Sequence, residues 1–337
     1  MSAIIEQDFL NFQWVTEDPF LFCAHHLDFY PKANKKFGPA EPLTKRNLGQ
    51  DFNMKNDWKM YHGLEVPGFP EHPHRGFETV TVVVEGFVDH FDSAGASGRY
   101  SNGDVQWMTA GKGMQHSEMF PLLSPEEPNP LHLFQIWLNL PKKDKFVEPH
   151  YKMLWSEDIP VVSGINESGG TYEVRVIAGE FEGTRALSPA PESWAAKEEN
   201  HVDILLVHMS PNSRFKLPSK SETVSRNLYF YEGTSLAVNG EEILSQHRAK
   251  LSDVDLQIEN NGKSAKFLIL QGEPINEPVV QYGPFVMNTQ EEIKEAYEEY
   301  HVNQFGGWPW DKSDQVLPAD VGRVAFYADG SIDRPKN

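Results

Sequence analysis

Short apolar runs separated by turn residues recur along most of this chain, and they restrict its fold more than any other feature. Residues 79–85 form a run rich in β-branched side chains that ends at Gly86, and residues 131–140 form an apolar run that ends at Pro141. Four further runs have the same character: residues 171–177, 203–208, 227–231 and 266–271. Many short strands with frequent turn signals are typical of a β-sandwich or β-barrel. The sequence therefore predicts an all-β fold.

Helix is expected mainly near the C-terminus. Thr289 and Glu292 have the spacing of a capping box. The apolar residues that follow recur at the intervals of an amphipathic helix: Ile293, Ala296, Tyr297 and Tyr300. The tail beyond residue 306 contains Trp308 and Trp310. We expect the tail to pack on the body, because exposing two tryptophans to water would be costly.

Net charge, the length of the apolar runs, the N-terminal sequence and the cysteine content together restrict the function and location of the protein. The formal net charge of −19 opposes binding to nucleic acid or to an anionic membrane. No apolar run approaches the roughly 18–20 residues that a spanning helix needs. The N-terminus does not have the basic and apolar segments of a secretory signal. The single cysteine, Cys23, cannot form an intramolecular disulfide, so a cytoplasmic location is expected.

Two pairs of polar residues are candidates for a metal site. His72 and His74 are one residue apart, and His116 and Glu118 repeat that spacing. Alternate residues of a β-strand point to the same face, so each pair would aim two side chains in one direction. Three imidazoles and a carboxylate suit a divalent transition metal. We therefore predict one metal bound by His72, His74, His116 and Glu118.

Glu78 competes with Glu118 as the carboxylate ligand, because Glu78 shares the parity of His72 and His74. Four residues along a strand would carry Glu78 about 13 Å from His74, whereas Glu118 is about 7 Å from His116 by the same rise. Distance therefore favours Glu118, and Glu78 is expected to support the ligands.

The length of 337 residues is enough for about two domains, and the polar segment 141–149 is expected to separate them. We predict a metal-binding domain (1–142), a second domain without metal (143–287), and a helix and tail that pack on the body (288–337). An ungapped alignment of Glu85-Gly86 with Glu232-Gly233 places Ser219 and Ser221 where the first half has His72 and His74. The two halves are thus interpreted as copies of one barrel.

Longer motifs around the polar pairs resemble signatures of the pirin family. Residues 68–80 and residues 103–118, which contain the two pairs, carry the strongest likeness. Further marks of the same family occur in four segments: residues 18–20, 135–141, 272–278 and 283–288.

This resemblance implies a bicupin, a protein of two cupin-type β-barrel domains, with metal only in the N-terminal barrel. It implies the same four ligands and iron as the usual metal, with Mn, Ni, Cu, Co or Zn as alternatives. It also implies quercetinase-type activity, the opening of a small flavonol-like aromatic substrate with O2. Glu118 would act as catalytic base as well as ligand, because a carboxylate beside the metal can accept the proton of the flavonol hydroxyl.

Two other functions are compatible with these residues. The resemblance also allows a metal-loaded, redox-responsive regulatory protein that binds a transcription factor or metabolic enzyme without catalysis. A barrel with a closed structural zinc site is the simpler alternative. Residues 38–61, residues 188–199 and the tail look longer than in compact family members, which affects the expected substrate more than the expected metal site.

Overall fold

Strands make up most of the regular structure in the computed structural model, which describes residues 2–167 and 169–336. Up to residue 157 the strands are β1 (Ile4–Phe9), β2 (Gln13–Trp14), β3 (Phe20–Tyr30), β4 (Gly68–His74), β5 (Phe77–Glu85), β6 (Phe87–Asp92), β7 (Ser97–Ser101), β8 (Val105–Thr109), β9 (Met114–Met119), β10 (Asn129–Asn139) and β11 (His150–Leu154). Beyond it they are β12 (Val161–Ile165), β13 (Thr171–Ala178), β14 (Glu180–Phe181), β15 (Thr184–Arg185), β16 (Asp203–Met209), β17 (Ser213–Leu217), β18 (Ser225–Glu232), β19 (Leu236–Val238), β20 (Glu241–Ile243), β21 (His247–Leu251), β22 (Leu256–Asn260), β23 (Ala265–Gly272), β24 (Val280–Tyr282), β25 (Phe285–Met287), β26 (Val324–Phe326) and β27 (Ile332–Asp333). The all-β prediction is confirmed.

The α-helix α1 (Gln290–Asn303) begins where the sequence predicts it. The Thr289 hydroxyl accepts a hydrogen bond from the backbone N–H of Glu292, and the Glu292 carboxylate accepts one from the N–H of Thr289. The other described helical segments are short 3₁₀ turns: Lys142–Asp144, Trp194–Ala196, Glu198–Asn200, Gln304–Gly306 and Ala319–Val321. Among the described residues, no helix has both the length and the apolar character to cross a membrane.

The chain divides into two compact units, and both are discontinuous in sequence. The larger unit combines Ala24–Glu157 with Glu277–Asn337, and the smaller unit combines Met1–Cys23 with Asp158–Asn276. This division differs from the predicted boundaries at 142/143 and 287/288, because both ends of the chain pair with strands distant in sequence. β1 pairs with β21 in the smaller unit, and β26 pairs with β7 in the larger unit. Local composition carries no signal of such pairings.

The tail beyond α1 packs on the larger unit. The indole N–H of Trp310 donates to the backbone oxygen of Asp92 over 2.8 Å, and its ring meets Phe91 edge-on at 4.9 Å. The guanidinium of Arg99 is buried and donates to the carbonyl oxygens of Leu317 and Pro318. These contacts cover part of the Trp310 ring and fix the tail against β6 and β7.

Two sheets of the larger unit enclose a polar interior. One has the strand order β11-β8-β5-β10-β3, and the other has the order β27-β26-β7-β6-β9-β4. Thr81 and Gln135 lie opposite each other in the pairing of β5 with β10, as His90 and Glu118 do in that of β6 with β9. Residues directly opposite each other in a sheet point to the same side. Hydrogen bonds from Thr81 and Gln135 to Glu118 show that these two sides face each other.

The smaller unit has an apolar interior. Its sheets have the strand orders β1-β21-β18-β23-β16-β13-β12 and β17-β22-β19-β20. Their shared core contains buried side chains such as Phe215, Leu217, Phe230, Leu256 and Ile258. Burial of this apolar surface is sufficient reason for the sheets to pack without a bound ion.

Strand order repeats between the two units, in agreement with the internal similarity in the sequence. The order β8-β5-β10-β3 corresponds to β21-β18-β23-β16, and β9 lies between β4 and β6 as β22 lies between β17 and β19. The register differs from the ungapped alignment. Residues 218–224 join β17 to β18, whereas only residues 75–76 join β4 to β5. Ser219 and Ser221 therefore lie beyond β17, and the counterparts of β4 and β9 carry buried apolar side chains.

Candidate metal centre

The predicted pairs lie side by side on β4 and β9. The two strands are antiparallel, with His72 opposite His116 and His74 opposite Met114. Ring nitrogens of His72, His74 and His116 all lie within 4.8 Å of one another. Alternation along each strand thus aims the three imidazoles at one point, as the spacing in the sequence predicts.

Glu118 lies beside this three-histidine group, at the next inward position of β9, and is not one of the residues whose ligand atoms lie within 4.8 Å of one another. Its Oε2 atom lies 3.8 Å from Nε2 of His116. The Thr81 hydroxyl donates to Oε1 over 3.0 Å, and the Gln135 amide donates to Oε2 over 2.9 Å. Two strands of the opposite sheet therefore fix the orientation of the carboxylate.

Glu78 lies on the other face of its sheet. Its Oε1 atom accepts hydrogen bonds from the Trp107 indole at 3.0 Å and from the Thr109 hydroxyl at 2.8 Å. Gly76, with φ of 86°, turns the chain between β4 and β5, so the parity shared with His74 does not carry through. These two hydrogen bonds hold the Glu78 carboxylate against β8, in place of the support of the histidines that the sequence predicts.

Backbone carbonyls orient two of the imidazoles. Nδ1 of His72 lies 2.9 Å from the oxygen of Pro70, and Nδ1 of His74 lies 3.3 Å from the oxygen of Pro284. A carbonyl can only accept, so Nδ1 carries the hydrogen in both rings and Nε2 presents its lone pair. Ligating histidines are typically held in this way.

The surroundings of the His116 ring indicate that these residues fit a metal ion. The residue is completely buried, and neither ring nitrogen has a hydrogen-bond partner among the described residues. A buried imidazole without a partner is destabilising, and a ligated ion would satisfy one of its nitrogens. The donor set of imidazole and carboxylate fits a divalent transition metal.

Burial keeps the three imidazoles in the neutral form that a metal requires. It lowers the pKa of His72 to about 4, and it lowers the pKa values of His74 and His116 well below their usual value. Burial also raises the pKa of the Glu118 carboxyl, against the opposite effects of His90 and of the donated hydrogen bonds. Protons therefore compete weakly for the imidazole nitrogens at neutral pH.

His90 and Asp92 adjoin the site and were not predicted from the sequence. In the pairing of β6 with β9, His90 lies opposite Glu118 and Asp92 lies opposite His116. Nε2 of His90 is 3.1 Å from Oδ2 of Asp92, and both side chains are fully buried. The ring of Tyr151 stacks on His90 at 4.7 Å. The one-residue spacing of His90 and Asp92 is the same signal that identified the other two pairs.

Arg75, which follows the last histidine of β4, turns toward α1. It forms an ion pair of 2.8 Å with Glu299, and its Nε donates to the carbonyl oxygen of Lys112. Its guanidinium carbon lies 4.3 Å from the centre of the Phe305 ring. Arg75 therefore anchors the C-terminal helix.

Comparison with known proteins gives consistent matches over most of the chain. A family model described as Pirin matches residues 32–138, and one described as Pirin C-terminal cupin domain matches residues 204–306. The chain is 40% identical to a pirin-like protein of Solanum lycopersicum over 71% of this chain and 77% of that protein. It is 38% identical to pirin of Homo sapiens over 71% of this chain and 78% of that protein.

A solved structure is similar over almost its whole length. It is a crystal structure of quercetin 2,3-dioxygenase from Acinetobacter baumannii, with a TM-score of 0.71 and 28% sequence identity. The match covers 91% of this chain and 99% of that one.

Proposed function

Because this chain belongs to the pirin family and has its two cupin domains, we propose that it is a metal-dependent dioxygenase that opens a flavonol-like aromatic substrate with O2. The bicupin fold expected from the sequence motifs is confirmed by the same matches. One observation carries the proposal: three neutral, converging imidazoles with a fixed carboxylate beside them. The similarity to a quercetin 2,3-dioxygenase supports the choice of reaction.

His72, His74, His116 and Glu118 would hold one divalent transition metal, with iron as the first choice and Mn, Ni, Cu, Co or Zn as alternatives. When bound, the metal supplies Lewis acidity that stabilises negative charge on a coordinated oxygen. Four protein ligands would leave positions free in a six-coordinate sphere, unlike a closed structural zinc site.

Glu118 is the residue placed to move a proton. Its carboxylate oxygen Oε2 lies 3.8 Å from Nε2 of His116, and it would accept the proton of the flavonol hydroxyl. Thr81 and Gln135 hold the carboxylate in one orientation, so it need not reorganise when substrate arrives. The buried His90–Asp92 pair lies beside Glu118 on the neighbouring strand β6.

The test combines metal analysis with oxygen consumption. Protein purified without added metal is analysed for bound elements and then assayed with quercetin in an oxygen electrode and by loss of flavonol absorbance. Wild-type protein should consume O2, and His74→Ala and Glu118→Gln should not. His208→Ala, which removes an exposed histidine of the smaller unit, is the matched control.

Metal-loaded protein that neither consumes O2 nor bleaches quercetin would end the dioxygenase proposal. The remaining function would then be the metal-loaded regulatory protein, which needs a protein partner because a net charge of −19 opposes direct nucleic-acid binding. Capture of a partner that depends on the oxidation state of the metal would distinguish that role. Cys23 is buried and unpaired by disulfide, and we propose a cytoplasmic location on that basis.

A further inference from the structure

Three partly exposed rings form a continuous surface next to the candidate metal centre. Phe52, His62 and Phe69, which we call the aromatic platform, are each half-buried. The centre of the Phe52 ring is 4.9 Å from that of His62 and 6.3 Å from that of Phe69. The His62 and Phe69 ring centres are 5.6 Å apart. The ring planes are inclined at 55–74° to one another, so the three rings contact each other edge-on or tilted and present edges as well as faces.

The platform reaches the metal centre through Phe69. Its ring centre lies 6.3 Å from that of His72, and His72 is the one partly exposed histidine of the three. Behind Phe69, the buried ring of Tyr61 stacks at 5.2 Å, and Phe120 meets it edge-on at 6.1 Å. A molecule lying on the platform would therefore have one end at His72.

Hydrogen bonds hold the segment that carries Phe52 and His62. The backbones of Asp51 and Tyr61 exchange two hydrogen bonds, of 2.9 and 3.2 Å. The Arg46 guanidinium donates to the Asp51 carboxylate over 3.1 Å and lies 3.4 Å from the centre of the Trp58 ring. This network lies in the segment 38–61 that the sequence marks as longer than in compact family members.

Apolar side chains of the same segment also face water. Leu48 is 38% exposed and Met54 is 51% exposed, and Leu64, just beyond the segment, is 60% exposed. A rigid loop that presents rings and aliphatic side chains beside a metal centre is suited to a flat apolar ligand.

We propose that the aromatic platform binds the planar rings of a polyphenol and delivers its hydroxyl-bearing end to the metal centre, which makes Phe52 and His62 determinants of substrate specificity. This inference rests on the proposed function, which identifies the neighbouring metal centre as the site of the reaction. Flat rings fit best because stacking combines apolar burial with the complementary charge distribution of aromatic faces and edges. Non-planar phenols of equal polarity would bind less tightly.

The test uses metal-loaded protein and luteolin, a flavone that has no 3-hydroxyl group and so does not undergo the proposed reaction. Binding is followed by the change in luteolin absorbance. Loss of one aromatic contact should raise the Kd about 3- to 10-fold in Phe52→Ala and Phe52→Leu. Phe52→Tyr should bind like wild type, since it keeps the ring. Met54→Ala is the matched control, because it shortens an exposed apolar side chain of the same segment.

Each outcome decides one of the two proposals. Absence of luteolin binding to wild type, equal Kd values in all variants, or equal weakening by Met54→Ala would overturn the platform. Quercetin turnover with an unchanged KM in Phe52→Ala would overturn it too and leave the dioxygenase intact. Weaker luteolin binding in Phe52→Ala without any quercetin turnover would keep the platform and remove the dioxygenase. Thermal unfolding of each variant checks that its fold is intact.

Discussion

The hydroxyl of Thr81 donates a 3.0 Å hydrogen bond to Oε1 of Glu118, so a strand of one sheet fixes a carboxylate carried by the other. The Thr81 hydroxyl shares its single proton between Glu118 and the side-chain oxygen of Gln135, and the Gln135 amide donates to Oε2 of Glu118. The three side chains form a closed triangle. Orientation of the carboxylate therefore depends on the packing of the two sheets as well as on β9.

Thr81→Val should impair the proposed reaction with the fold intact. Valine has the shape of threonine but cannot donate to Glu118, which would be free to rotate. Loss of a residue that orients a ligand typically costs roughly 10- to 100-fold in metal affinity or activity. Quercetin turnover and bound metal should be measured together.

Thr79→Val is the matched control for that variant. Thr79 is buried on the same strand, and its hydroxyl has no hydrogen-bond partner among the described residues. Removing an unpaired buried hydroxyl should leave turnover unchanged and raise stability slightly. Equal losses in the two variants would contradict the orienting role of Thr81.

Metal removal should lower the free energy of unfolding. His72, His74 and His116 converge only in the folded chain, so an ion that binds them stabilises the folded state. Linkage gives about 2.7 kcal/mol when free metal exceeds its Kd 100-fold. Thermal unfolding with metal and with excess chelator measures the difference. A Tm that is the same in both, with metal content shown to differ, would count against the site.

Acid should destabilise the protein through His26, and His26→Phe should reduce that effect. Burial lowers the pKa of His26 to about 3, whereas an imidazole in the unfolded chain titrates near 6.5. The unfolded state therefore binds the extra proton between these values, and stability falls as pH drops from about 6.5 toward 3. The slope for one such group is at most about 1.4 kcal/mol per pH unit.

Urea unfolding of wild type and His26→Phe at pH 7.5, 6.5, 5.5 and 4.5 measures that slope, with chelator present so that metal release does not contribute. The curves should run parallel above pH 6.5 and diverge below it. Parallel curves over the whole range would show that His26 has no part in acid sensitivity.

Gly76→Ala should be more destabilising than Gly95→Ala. Both glycines have positive φ, of 86° and 90°, which costs an alanine about 1–2 kcal/mol. A Cβ on Gly76 would also lie 2.0 Å from the carbonyl oxygen of Val286, whereas a Cβ on Gly95 would meet nothing within 4 Å. The difference in unfolding free energy between the variants isolates the steric clash. Equal values would show that the backbone near Val286 can move to relieve the clash without a measurable loss of stability.

Local alternation predicts that the two side chains of each pair point to one face of their strand. His72 with His74 and His116 with Glu118 each follow the two-residue period of a strand, and this period needs no knowledge of the partner strand. The capping box of α1 was equally local. Such features depend on neighbours within a few residues, so sequence contains them directly.

Features that depend on pairing between strands distant in sequence could not be predicted from local patterns. His90 and Asp92 join the site only because β6 pairs with β9 in one register. The turn at Gly76 reverses the parity that seemed to place Glu78 beside the histidines. The longer connection after β17 displaces Ser219 and Ser221 from the positions of an ungapped alignment.

The discontinuity of the larger unit sets an order of events during protein synthesis. Chains emerge from the ribosome N-terminus first, so β4 and β9 are made long before residues 277–337 that complete their unit. Pro284, whose backbone oxygen orients His74, lies in this segment that is made late. A nascent chain thus exposes its histidines before their final geometry exists, and we expect tight metal binding only after residues 277–337 have been made.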